Sequence, residues 1–208
     1  MKKKILPIDN LVSFSGMAAH AQSTVDSVIS VFLQLMQEVP YFDISVLDIA
    51  EKSGVSRVTF YKHFVDKEDL LWKAFRQTFL PIDRQIERVD PETLLSDGKP
   101  ITFYVFENIN RHRKFYRNLF MNGMPYYFQC QFLDYITSES FRTHENLRLA
   151  YGQREIDYRR INEYLAGALF NLLRNLLQED QEINALLMGE FFTRLSGPGV
   201  INLCRKID

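Results

Sequence analysis

One stretch constrains this chain more than any other: residues 45–71, SVLDIAEKSGVSRVTFYKHFVDKEDLL. Ser45, Ser56 and Asp66 each stand where a short side-chain oxygen accepts from the first-turn amides of a helix, and Asp69 follows Asp66 in a near capping-box arrangement. Between the first two caps lies Gly54, which supplies the positive φ of a tight turn joining two helices at a steep angle. Ala50 is small where those helices must nearly touch, and Ile49, Val55, Phe60 and Phe64 fill the wedge beneath the turn. Arg57, Val58, Thr59, Tyr61, Lys62 and His63 are left on the outer side of the third helix.

A helix carrying such donors fits the major groove of a duplex, which is about one helix wide. Within 50–67 the basic residues are Lys52, Arg57, Lys62 and Lys67, against Glu51 and Asp66, an excess of 4 − 2 = 2. The whole chain carries a net charge of −1. Attraction to nucleic acid is therefore local to this surface, and a coat-like binder is excluded. Singly, each lysine reads as a solvated surface charge. Together, at this spacing, they read as a DNA-facing helix.

The run Asp48-Ile-Ala-x-x-x-Gly54-Val55-Ser56-x-x-Thr59-Phe60-Tyr61-x-His63-Phe64-x-x-Lys67-x-x-Leu70 resembles the head-domain signature of the TetR family of regulators. The resemblance covers residues 23–75. It implies that Thr59, Tyr61, His63 and Lys67 contact phosphates and that Arg57, Val58 and Lys62 read bases. Ser45 and Ser56, at the two caps, complete the expected DNA-binding set. Val58 stands where many relatives carry Gly or Pro, giving an apolar spot suited to a thymine methyl. Leu47 stands where some relatives carry a basic residue, which removes one contact.

On the N-terminal side, residues 1–22, with Pro7 and Gly16, read as a loosely ordered arm, and Lys2, Lys3 and Lys4 as a solubilising end or a minor-groove arm. Ser23 then caps a helix whose apolar face is Val25, Val28, Ile29, Phe32, Leu35, Met36 and Val39, and Pro40 ends it. The helix from Asp66 turns Leu70, Leu71, Ala74, Phe75 and Thr78 inward. These elements give a DNA-binding head over residues 23–80. The pattern breaks from Pro81 to Pro100, through Asp-Pro at 90–91 and Asp-Gly at 97–98. Beyond it, helices are expected at about 101–111, 112–122, 125–150, 156–178 and 182–195, a body spanning residues 81–208. The expected architecture is all-α, a small head on a larger helical bundle, and the 46% hydrophobic content supplies a sizeable core.

Residues 103–141 are crowded with aromatic side chains. They suit either a bundle core or a pocket for a small apolar or aromatic effector, lined by Phe103, Phe106, Tyr116, Phe120, Tyr126 and Tyr127. Glu107, Arg111 and His112 lie nearby for a polar end of such a ligand. Ile161, Leu165, Leu169, Leu172, Leu173 and Leu176 repeat at helical spacing, followed by Ile183, Leu187 and Phe191. More apolar surface is present than one buried stripe requires, and in the resembled family two such helices from each subunit form a four-helix dimer interface. The segments Phe106-Glu-Asn-x-Asn-Arg and Phe115-Tyr116-x-x-Leu119 are similar to effector domains of Gram-positive TetR-type regulators.

Other classes find little support. Cys130 and Cys204 form no CxxC pair, the four histidines show no metal-ligand spacing, and the nine glycines form no phosphate loop. No enzyme, metal site or cofactor is expected. Nothing approaches the ~18 apolar residues of a membrane span. Pro7, Asp9, Asn10 and Ser13 interrupt any signal-type apolar region, so the expected location is the cytoplasm. The resemblance and these patterns imply a homodimeric regulator on a palindromic operator, a repressor released by a ligand, with a protein-triggered regulator as the alternative. The helix from Asp66 is expected to couple head and body.

Overall fold

A computed structural model describes the backbone of residues 9–86, 99–151 and 158–204, and side chains within 22–83, 99–140, 159–200 and 202–203. Lys2, Lys3 and Lys4, the Asp-Pro and Asp-Gly pairs at 90–91 and 97–98, and Phe141 lie outside that description. The described residues are helical throughout, in the order α1 (Asp9–Leu35), α2 (Val46–Ser53), α3 (Arg57–His63), α4 (Lys67–Ile86), α5 (Ile101–Arg111), α6 (Arg113–Met121), α7 (Tyr126–Tyr151), α8 (Tyr158–Leu176) and α9 (Ala185–Cys204). One 3-10 turn, Tyr41–Asp43, separates α1 from α2.

The first helix begins at Asp9, not at Ser23, so most of the expected arm is helical and Ser23 lies mid-helix. The reason is compositional: Met17, Ala18, Ala19, Ala21 and Gln22 are good helix formers, and they outweigh the lone Gly16. The C-terminal end comes at Leu35, ahead of Pro40, where Val39 N–H closes back on the Leu35 carbonyl at 2.9 Å. Val28, Ile29, Phe32, Leu35 and Met36 are buried, as the period predicts.

The next two helices follow their caps. Ser45 Oγ accepts from Asp48 N–H at 3.1 Å while Ser45 N–H donates to the Asp48 carboxylate at 2.9 Å, a reciprocal box that satisfies both donors. At the other end Gly54 sits at φ 68°, and Val55 N–H reaches the Ala50 carbonyl at 3.0 Å. That backbone closure occupies the left-handed region, which disfavours a side chain. Ser56 Oγ accepts from Thr59 N–H at 3.0 Å and opens α3.

The boundary expected near residue 80 falls inside a helix. Pro81 lies within α4, which runs on to Ile86. Proline removes one helical hydrogen bond and crowds the preceding turn. Phe79 and Ile82, buried on either side of it, continue the inward face of Leu70, Leu71, Ala74 and Phe75, and this packing outweighs the local preference. One hydrophobic core therefore extends from Val28 and Phe32 in the head through α4 to Phe106, Phe128 and Leu173 in the body.

In the body, α5 lies directly on α9. Thr102 Oγ1 donates to the Gly189 carbonyl at 3.1 Å, and a Cβ added at Gly189 would stand 2.8 Å from the Phe103 backbone nitrogen. Asn110 forms a closed pair with Ile183: its Nδ2 donates to the Ile183 carbonyl at 2.6 Å, and its Oδ1 accepts from Ile183 N–H at 3.0 Å. Arg113 and Arg117 reach carbonyls at the end of α8 and just past it, those of Leu176 and Glu179. None of the described helices is long and apolar enough to cross a membrane.

Gly189→Ala tests the close α5–α9 approach. A methyl there must push the two backbones apart, so it is expected to destabilise the fold by about 1–3 kcal/mol, read as a lower urea midpoint at unchanged slope. An unchanged midpoint would contradict the approach.

Candidate nucleic-acid interface

The outer face of α3 is built by what its inner face buries. Phe60 is fully buried with its ring 5.1 Å from that of Phe64, and this anchors one side of the seven-residue helix. Arg57, Val58, Tyr61 and Lys62 then point to solvent. Val58, at 68% exposure, is an apolar side chain with nothing in the subunit to cover it. Among the described residues, Arg57, Lys62 and, on α2, Lys52 make no ion pair or hydrogen bond, though after the Ser45 hydrogen bonds Lys52 helps lower the Asp48 carboxyl pKa through its charge. Their charges are therefore available to an external anion. At the start of α2 the capping box engages the amides of Ser45 and Asp48, and the first-turn amides of Val46 and Leu47 have no partner within the helix.

Several expected contact residues have internal duties. Ser45 Oγ bonds the Asp48 carboxylate, and that bond holds the Asp48 carboxyl below the usual carboxylate range. Ser56 Oγ lies 2.9 Å from Thr59 Oγ1 beside its capping bond, so the two hydroxyls share a proton at the start of α3. His63 is half-buried, and its carbonyl accepts from Lys73 Nζ at 2.9 Å.

Lys67 departs furthest from its expected place. Its Nζ donates to the carbonyls of Tyr41 (2.8 Å) and Ile44 (2.6 Å) and sits 4.2 Å from the centre of the Tyr41 ring. Burial lowers its ammonium pKa, while Asp43 and Glu68 act in the opposite direction. The residue ties the α1–α2 turn to α4, a role a sequence pattern shared with phosphate-contacting lysines does not reveal.

The expected effector residues divide between core and surface. Phe103, Phe106 and Tyr116 are buried, and Phe120 is half-buried with its ring 5.1 Å from Phe170 and 6.1 Å from Phe132. Tyr126 and Tyr127, 81% and 63% exposed, are on the outside. The inward positions of α7 are Phe128, Phe132 and Tyr135, and one helix cannot turn 126 and 127 to that same side. Glu107 is exposed for the same reason, beside inward Phe106 and Asn108. His112 is half-buried, and burial, then the neighbouring Arg111 charge, pushes its imidazole pKa down.

The polar groups that organise this region carried no motif. Tyr116, fully buried, places its hydroxyl 2.7 Å from Thr78 Oγ1 and accepts from Asn108 Nδ2 at 3.3 Å. Thr78 donates to the Phe75 carbonyl, so Tyr116 supplies the proton between the two hydroxyls. Tyr135 donates to Asp83, and Arg76 bonds the other oxygen of that carboxylate at 3.0 Å while stacking on the Tyr135 ring. Burial and then the Asp83 bond push the Tyr135 phenol up, so it stays a neutral donor.

The expected dimer residues need a correction as well. Leu165, Leu169, Leu173 and Ile183 are buried within the subunit, and Leu172 and Leu176 pack half-buried against the same core. Ile161 packs on Leu165 and Val200. The apolar stripe of α8 therefore faces its own bundle. Leu187 and Phe191 are 55% and 50% exposed, and Leu186, Leu195 and Tyr164 are exposed with them. Periodicity located two apolar faces on α8 and α9 without saying which one α7 and α5 would cover.

Residues 29–73 match the sequence profile described as bacterial regulatory proteins of the TetR family. The head of this chain is thus a TetR-type domain. A search of curated proteins finds no match. Among solved structures, the fold is similar to the dihydroxyacetone kinase operon activator DhaS, with a TM-score of 0.63 and 20% identity over 85% of this chain and 96% of that one. It is also similar to NalD, the secondary repressor of the MexAB-OprM efflux pump in Pseudomonas aeruginosa, at 0.62 and 17% over 86% and 96%. A TetR transcriptional regulator from Streptococcus agalactiae matches at 0.61 and 19% over 92% and 99%. At these identities the likeness shows the fold, a TetR head on a larger helical domain. The match over the head supports DNA-binding regulation.

Lys67→Ala separates anchoring the turn from touching DNA. It strands the Ile44 carbonyl and leaves that of Tyr41 with only the Ile44 N–H at 3.3 Å, so it is expected to lower stability by about 1–3 kcal/mol in urea unfolding without DNA. A fully stable variant that binds duplexes more weakly would return Lys67 to the phosphate-contacting set.

Proposed function

We propose that this protein is a TetR-type homodimeric repressor that reads a palindromic operator through α3 and leaves it when a small apolar or aromatic effector enters the body. The observation that carries the DNA reading is the unpaired, exposed row of Arg57, Val58, Tyr61 and Lys62 on a helix whose other side is locked into the head core. Arg57 and Lys62 supply donors for guanine edges or phosphates, Val58 an apolar contact for a thymine methyl, and Tyr61 a hydroxyl for the backbone. Dimerisation is supported by the exposed Leu186, Leu187, Phe191 and Leu195 of α9 with Tyr164 of α8, a concentration of apolar surface that an isolated subunit leaves in water. Two heads about one helical turn apart, ~34 Å, suit a symmetric operator.

An effector acts only through a difference in affinity between two arrangements of the body. Here α4 carries that difference to the head, because Thr78 bonds Tyr116 on α6 while Asp83 bonds, and Arg76 stacks on, Tyr135 of α7. A second reading, a regulator triggered by a protein, is favoured by the aromatic packing around Phe75, Phe128 and Phe132 and by the outward Tyr126 and Tyr127. In that case the trigger docks outside and the interior stays filled.

The test is selection of duplexes from a random-sequence pool at near-physiological salt, with the wild type and Arg57→Ala in parallel. The wild type is expected to recover a palindrome. Arg57→Ala is expected to relax one position of each half-site at a cost of about 1–3 kcal/mol on the selected sequence alone. Recovery of no motif, with binding that disappears as salt rises, would overturn the sequence-reading function.

A further inference from the structure

The body grips the head at a second place, separate from α4. The chain between α1 and α2 has no regular ladder for its backbone groups, and buried carbonyls and amides need partners. Asn118, in α6 and 7% exposed, supplies them. Its Nδ2 donates to the Met36 carbonyl at 2.8 Å and to the Val39 carbonyl at 2.6 Å, and its Oδ1 accepts from Tyr41 N–H at 3.2 Å. Both amide protons and the oxygen are thus committed to one turn of the head.

That turn leads directly into the DNA-facing unit. The Tyr41 and Ile44 carbonyls are held from the other side by Lys67 of α4, and the next residue, Ser45, caps α2. The turn is therefore clamped between α6 and α4 immediately before the helix pair begins. A second, independent feature joins the same elements. Gly123, just beyond α6, has φ 99°, and a Cβ there would stand 3.0 Å from Cε2 of Phe42. The absence of a side chain lets Phe42 lie against the end of α6.

We propose that Asn118 is a positioning residue: by holding the backbone that enters α2, it sets where the α2–α3 pair sits on the body. Shifting α6 then moves the entry to α2 even when α4 stays in place. Asn110 provides the internal comparison. It is a half-buried asparagine of the body that also holds backbone through both ends of its amide, but both of its bonds go to Ile183 within the body. Loss of Asn118 costs three hydrogen bonds to backbone and loss of Asn110 two, and of the pair only Asn118 touches the head.

The experiment compares Asn118→Ala and Asn110→Ala with the wild type in two measurements on the full chain. The first is backbone hydrogen exchange without DNA. Asn118→Ala is expected to speed exchange at Tyr41 and through α2 and α3, and Asn110→Ala to speed it around Ile183 while leaving α2 and α3 protected. The second rests on the DNA-reading function and is affinity for the selected duplex at a temperature where all three proteins are folded. Asn118→Ala is expected to bind about fivefold or more weakly, and Asn110→Ala as the wild type does. If the two variants change head exchange and affinity equally, the effect is general destabilisation and the proposal fails. Unchanged exchange at Tyr41 and α2 in Asn118→Ala also overturns it. A wild type that selects no duplex would sink the DNA reading, and the exchange comparison would still decide the clamp.

Discussion

The Phe75 side chain holds this structure together across what the sequence presents as two domains. It is fully buried on α4, with its ring 5.2 Å from Trp72 and 4.8 Å from Phe79 on its own helix, and 5.6, 5.2 and 5.5 Å from Phe128, Phe132 and Tyr135 on α7. A turn earlier, Leu70 and Leu71 close the core of the head. Head and body are consequently parts of one packed interior. Close-packed interiors change by discrete repacking of neighbours and not by continuous bending. If the body receives a trigger as proposed, such packing leaves little slack, and α4 or α6 is expected to move as a unit.

Charge is allocated with the same economy. With a net charge of −1, the chain gains no long-range pull toward DNA and depends on the few cations left unpaired on the head. Lys67, expected at a phosphate, and Lys73 are bonded to the carbonyls of Tyr41, Ile44 and His63 and stabilise the scaffold. Arg57 and Lys62 make no ion pair or hydrogen bond among the described residues. Separating cations that hold the fold from cations that hold the ligand allows the recognition face to vary without unfolding the head.

Much of the head was legible because its signals are local. Ser45, Gly54, Ser56 and Asp66 each fix one helix end through chemistry contained within a few residues, and all four act as the sequence predicts. What was hidden depends on neighbours remote in sequence. Pro81 reads as a stop, yet Phe79 and Ile82 bury themselves on either side of it and the helix continues. The apolar stripe of α8 reads as a free face, yet Leu165, Leu169 and Leu173 are covered by their own subunit. Asn118 offered one faint signal, a polar residue on the same helical face as Phe115, Tyr116 and Leu119. Such a residue is buried only when it has partners, and here the partners lie some 80 positions away, at Met36, Val39 and Tyr41.

The central claim, that two copies of α3 read one duplex from the same side, is tested most directly by hydroxyl-radical footprinting of the wild-type protein on its selected duplex. The account predicts two protected windows related by a two-fold axis, with centres about one helical turn apart on one face of the DNA. A single window, or uniform protection along the duplex, would contradict it.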